Sequence, residues 1–105
     1  MSSGDTDEVK NFLQLIVSTT RNQRLAIFRN ITSKQCQIIR QVAYNILINT
    51  SLHISQKDRL YLRKSIKLLR LLASRLVDLE AKKEILIDRH LLIKRIATIA
   101  LQYLQ

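Results

Sequence analysis

The side chains able to do covalent or acid–base chemistry are few in this chain, and their spacing argues against a reaction centre. The two histidines, His53 and His90, have no cysteine or carboxylate set at metal-ligand spacing, whereas a zinc-type site needs three or four N, S or O ligands. Cys36, the single cysteine, could meet His53 as nucleophile and base, but a reactive thiolate needs a cationic, partly exposed setting. Cys36 falls instead in an apolar helical stripe. Asp78, Glu80, Glu84 and Asp88 sit among Lys82, Lys83 and Arg89. That pattern suits helix caps and surface pairs, not two carboxyls held in a cleft for acid and base work. With Gly4 the only glycine and no proline, neither a Walker loop nor a dinucleotide fingerprint can form. The expectation is a non-enzymatic protein with no cofactor, no metal and no small-molecule substrate.

What the chain holds in excess is positive charge. Eighteen Lys and Arg face eight Asp and Glu, a formal +10, and three of those acids (Asp5, Asp7, Glu8) lie at the very start. From Val9 to Lys57 there are seven basic residues and no acid; the run on to Arg75 adds six more against Asp58 alone. Self-repulsion of that size destabilises a compact state unless a partner supplies counter-charge. A polyanion is the expected partner, DNA ahead of RNA, with an anionic membrane behind both.

The densest cations share a helical register. Arg59, Arg63, Lys67 and Arg70 recur at i, i+4, i+8 and i+11, with Lys64 and Arg75 on a flank that also carries Leu60 and Leu71. A merely solvated helix face mixes both signs; this one is all cation. Arginine outnumbers lysine on it, which favours bidentate phosphate contact. Arg21, Arg24 and Lys34 from the acid-free first half, and Lys82 and Lys83 further on, complete the candidate set. Asn22, Gln23, Gln37, Gln41 and Asn45 could read base edges, but all lie off the stripe. Nor do Tyr44, Tyr61 and Tyr103 interleave with the cations as stacking on single strands requires. The pattern predicts backbone-directed duplex binding with little sequence preference.

Helices must position these side chains. Val9, Phe12, Leu13, Ile16 and Val17 mark a first helix from Thr6 to Ser18, capped by Asp5 or Thr6, with acids in the turn where the dipole favours them. Thr20 to Gln23 and Thr32 to Gln35 are two capping boxes. They bracket a short helix, Arg21 to Asn30, that buries Leu25, Phe28 and Ile31. A third helix turns Cys36, Ile39, Ala43, Ile46 and Leu47 inward. After a break over 49–54, Ser55 to Asp58 caps a fourth helix whose inner face carries Leu62, Ser65, Ile66, Leu69, Leu72, Ala73 and Leu76. Asp78 caps a fifth (Leu79 to Ile87) and Asp88 a last one, in which Leu92, Ile93, Ile96, Ile99, Ala100, Tyr103 and Leu104 spread a wide apolar face. The segment Leu91 to Leu101 with Lys94 and Arg95 also has the composition of an interfacial membrane helix, yet five other amphipathic stripes need something to bury against.

The expected fold is therefore all-α, a compact bundle of five to six short amphipathic helices. Residues 1–5 read as a disordered N-terminus and 6–105 as a single helical domain. No run reaches the ~18 consecutive apolar residues of a membrane span. The Ser-rich, acidic start lacks the basic n-region of a signal peptide, and one lone cysteine fits a reducing compartment.

At Leu62-Arg63-Lys64-Ser65-Ile66-Lys67-Leu68-Leu69-Arg70-Leu71-Leu72-Ala73-Ser74, then Val77-Asp78-Leu79-Glu80-Ala81-Lys82-Lys83-Glu84-Ile85-Leu86-Ile87, the chain resembles a small basic protein of Polinton/Maverick elements and adintoviruses. That family shows a cationic helix ending in a leucine-rich segment, a short cap and a Lys/Arg-rich helix. Here Glu84 interrupts the basic run, and Asp88-Arg89-His90-Leu91 replaces a Gly-Gly-Phe-Leu turn. The resemblance implies a viral or transposon-derived core component that neutralises packaged DNA, virion-associated or nuclear, with Arg63, Lys64, Lys67, Arg70, Lys82 and Lys83 as carriers. Two other classes compete with it: a helical adaptor for protein contact or self-association, death-fold-like in size, and a membrane-active amphipathic protein.

Overall fold

The computed structural model describes residues 3–48 and 54–103. Within them the chain forms α1 (Ser3–Ser18), α2 (Arg21–Arg29), α3 (Ser33–Ile48), α4 (Gln56–Lys64), α5 (Ile66–Ala73), α6 (Leu79–Asp88) and α7 (His90–Tyr103). The helix starts follow cap chemistry. Thr20 Oγ1 accepts from Gln23 N at 3.3 Å while Gln23 Oε1 accepts from Thr20 N at 3.0 Å. Thr32 and Gln35 repeat the exchange at 3.1 Å in both directions. Ser55 Oγ accepts from Asp58 N and Asp78 Oδ1 from Ala81 N. Each such cap stabilises its helix by about 1 kcal/mol.

Seven helices replace the expected five to six because the fourth divides at Ser65. There the N–H bonds to the Leu62 carbonyl three residues back, at 3.0 Å, in place of the one four back. The residue sits at φ −107°, ψ 12°, a tightened turn inside the run. The inner face continues through it, since Leu62, Leu69 and Leu72 are all buried. Ile66 and Leu76 do not join that face: Ile66, just past the division, is exposed, and Leu76 is 97% exposed in the connection to α6 because α5 stops at Ala73.

Two cap assignments shift as well. The first helix begins at Ser3, within the five residues expected to be disordered, so Asp5 and Thr6 lie inside its first turns where negative charge suits the dipole. Asp88 ends α6 in place of capping α7. Arg89 bridges the two helices, its N–H donating to Ile85 O at 2.8 Å and its carbonyl accepting from Ile93 N at 3.2 Å, and the Asp88 carboxylate pairs with Arg89 Nε at 3.4 Å. His53 and most of the predicted break, 49–53, lie outside the described residues.

The most extensive pairings are α3 with α5 and α1 with α7, and α7 also touches α2, α3 and α6. The apolar face of the last helix is thereby used from Leu92 to Ile99, and Leu104 of the expected face lies outside the described residues. Leu92, Ile93, Ile96, Ala97 and Ile99 are all buried with Leu13, Ile16, Phe28, Ile39, Leu69, Leu72 and Leu86. Truncating a fully buried residue such as Phe28 to alanine costs about 3–5 kcal/mol. The Cα radius of gyration is 12.9 Å, close to the ~13 Å of a compact hundred-residue domain. No described helix is long and apolar enough to cross a membrane.

Candidate nucleic-acid interface

Helix α4 is the least buried element and the one that presents the first cations. Of its residues only Leu62 is fully buried, and a polar clasp holds it to the bundle. Arg95 Nη1, on α7, donates to Asp58 Oδ1 at 2.8 Å, and the same guanidinium lies 5.0 Å from the centroid of the Tyr61 ring. A cation over an aromatic face adds about 0.5–1 kcal/mol at such a site.

With Leu62, Leu69 and Leu72 turned inward, the helical period carries Arg59, Arg63, Lys64, Lys67 and Arg70 outward, and all five are exposed, as is Arg75. Among the described residues none of these six forms an ion pair. Arg59 Nε donates to the Ile54 carbonyl at 3.1 Å, which fixes its stem without neutralising it. Arg59 and Arg63 flank a shallow hollow that Ile54, Gln56 and Leu60 complete. Leu60, Ile66 and Leu71 are exposed along the same stretch.

The other five candidates separate from this set. Arg24 is 3% exposed, and so is withdrawn from any surface a polymer could touch. Its Nη1 donates to the Thr19 carbonyl at 3.2 Å, just past the negative end of α1, and its Nε donates to His90 Nδ1 at 3.3 Å. Accepting at Nδ1 fixes His90 as a neutral imidazole carrying its proton on Nε2. Lys82 is 6% exposed and is withdrawn from the open surface too. Lys34 pairs with Glu8 at 3.0 Å and Lys83 with Glu80 at 3.4 Å. Arg21 remains exposed at the start of α2.

Burial of Arg24 and Lys82 has a sequence signal that a count of charges passes over. Arg24 precedes Phe28 and Ile31 by four and seven residues, and Lys82 stands between Leu79 and Leu86 at i+3 and i−4, so both occupy the inner stripe of their helices. Cys36, expected in the core, is buried. Burial pushes its thiol pKa up, against the pull of the Lys82 ammonium. Its raised pKa keeps it a protonated thiol at neutral pH.

The base-reading candidates Asn22, Gln23, Gln37, Gln41 and Asn45 lie on α2 and α3, off the α4 and α5 cations. Gln41 and Asn45 are exposed on α3, where Gln41 Nε2 donates to Asn45 Oδ1 at 3.0 Å. Among the described residues no three His, Cys, Asp or Glu side chains gather to hold a metal ion. No protein-family model, curated protein or solved structure matches the chain.

Proposed function

We propose that this domain binds nucleic acid without catalysis, contacting the phosphate backbone of duplex DNA through the exposed cations of α4 and α5. One observation carries the reading: Arg59, Arg63, Lys64, Lys67, Arg70 and Arg75 are exposed with no carboxylate partner among the described residues, and Asp58, the one acid on α4 and α5, is engaged by Arg95. Five of the six stand on α4 and α5, and Arg75 follows in the connection to α6. Guanidinium forks match phosphate oxygens in pairs. Gln56 is the one Asn or Gln side chain on α4 and α5, so the face favours position over base readout.

The resemblance to a small basic protein of Polinton/Maverick elements and adintoviruses supports a narrower form of the proposal. In that form the protein is a core component that neutralises packaged DNA in a virion or nucleus. A second reading, self-association, draws on Leu60, Ile66 and Leu71, which are exposed beside the cations.

Size-exclusion chromatography of the full chain with and without nuclease separates the two readings. Co-purifying nucleic acid, seen as a 260/280 nm absorbance ratio that falls when the protein is prepared at high salt, supports DNA binding. A discrete oligomer free of nucleic acid at both salt concentrations contradicts it and supports self-association.

A further inference from the structure

A cleft of about 330 Å³ opens where the start of α3, the α5–α6 connection and the start of α6 converge. Ser33, Cys36, Gln37 and Arg40 line it from α3; Arg75, Val77, Leu79 and Lys82 line it from the other side. Three of these side chains are cationic and none is a carboxylate. Lys82 is the decisive one. It is 94% buried by its 6% residual exposure, its ammonium has no hydrogen-bond or ion-pair partner among the described residues, and it belongs to the cleft wall.

The Lys82 stem is buried while its unpaired ammonium reaches the cleft surface, and a cation held there without counter-charge is costly. Burial holds the Lys82 pKa below its usual 10.5, with Arg40 pushing the same way and Cys36 opposing. The Cys36 thiol gives no relief, since its own pKa is raised. Arg40 has one polar contact of its own, Nη2 donating to Gln41 Oε1 at 3.3 Å, which leaves most of its donors uncommitted. Arg75 is exposed and reaches the cleft from a connection outside any helix. Ser33 is the first residue of α3, at the positive end of a sixteen-residue helix dipole. The three cations and the start of α3 thus make the cleft favourable to an anion.

We propose that this cleft is a binding site for a single phosphate group, held by Lys82 at its base, Arg75 and Arg40 at its sides and Ser33 at its rim. A tetrahedral oxyanion offers enough acceptor oxygens to meet one ammonium and two guanidinium forks together. Either a free phosphate group or one phosphate of a nucleic-acid backbone supplies that chemistry. Of the six outward cations only Arg75 takes part in this site and none of those on α4 and α5 does, so phosphate binding that survives loss of the α4 and α5 cations stands separately from the proposed function.

The test is a titration of the full chain with inorganic phosphate at constant ionic strength, chloride being the balancing ion, followed by amide nuclear magnetic resonance. Saturable shifts centred on Ser33, Gln37 and Lys82 are expected. Lys82→Met and Arg75→Gln should each weaken the apparent affinity by about tenfold or more, the loss of one charge-assisted hydrogen bond. The exposed Arg75 provides a variant whose folding is not in question. Shifts that grow linearly and spread over all basic residues, or a Lys82→Met protein that titrates like the parent, would overturn the site. A short duplex DNA distinguishes the sources. If it moves the same amides and phosphate competes with it, the ligand is a backbone phosphate; if duplex leaves those amides in place while phosphate still saturates them, the ligand is a free phosphate group.

Discussion

Asp58 and Arg95 are joined across 37 positions by a 2.8 Å charge-assisted hydrogen bond, and that contact consumes the one acid between Val9 and Val77. The Asp58 side chain is 22% exposed in the pair, turned toward α7 and away from the outward cations of its own helix. One contact therefore does two things: it ties α4 to the bundle, and it leaves Arg59, Arg63, Lys64, Lys67 and Arg70 without a neutralising neighbour. Asp58→Asn should destabilise the domain by about 1 kcal/mol, as loss of a partly buried charged hydrogen bond does. Urea denaturation measures this, and duplex binding should be no weaker in the variant.

The outward cations should be separable from stability. Arg63→Gln, Lys67→Gln and Arg70→Gln together should lower duplex affinity by at least ~100-fold at low salt, each lost phosphate contact being worth on the order of 1 kcal/mol. All three residues are exposed, so the melting temperature should hold. Unchanged affinity with a lower melting temperature would assign these residues to the fold.

Arg24 and His90 predict an acid-labile joint. Burial first, then the nearby Arg24 and Arg21, hold the His90 pKa below its usual 6.5. The unfolded chain therefore takes up the proton at higher pH than the folded one. The contribution is fully present above about pH 6.5 and is lost as pH falls through the lowered value. His90→Asn keeps an acceptor for Arg24 without titrating, so its melting temperature should fall less than the parent's between pH 7.5 and pH 5. His90→Ala, which leaves Arg24 short of an acceptor, should cost about 1–3 kcal/mol at neutral pH.

Lys82 predicts a response of the same sign in a more alkaline window. With its pKa lowered by burial, the folded domain releases this proton before the unfolded chain does, so stability rises as pH climbs toward 10.5. Lys82→Met keeps the aliphatic stem and removes the charge. In phosphate-free buffer at pH 7 it should stabilise the domain by about 1 kcal/mol, or about 4–8 °C in Tm, and flatten the alkaline rise.

Much of this architecture is legible in the residues. Capping boxes at Thr20 and Thr32 and the caps at Ser55 and Asp78 mark true helix starts, because a side-chain acceptor beside a run of free N–H groups is a local interaction that needs no tertiary information. The division at Ser65 leaves no such mark, since no proline or glycine announces it and serine is tolerated in either state. Packing of α5 on α3 is a property of the assembled bundle. The candidate interface divides the same way. Arg59, Arg63, Lys67 and Arg70 are outward because Leu62, Leu69 and Leu72 must be inward, whereas Arg24 and Lys82 share register with Phe28 and Leu86, and a tally of charge is blind to register. Arg40 enters the phosphate cleft only because α6 folds back onto α3, a long-range contact the sequence does not display.

The most direct measurement is the salt dependence of duplex DNA binding by the full chain. With about five phosphates neutralised, log K plotted against log salt concentration should fall with a slope near −4 to −5. The Arg63, Lys67, Arg70 triple variant should lose about three units of that slope. A slope near zero, or a parent slope left intact in the triple variant, contradicts a polyanion contact through α4 and α5.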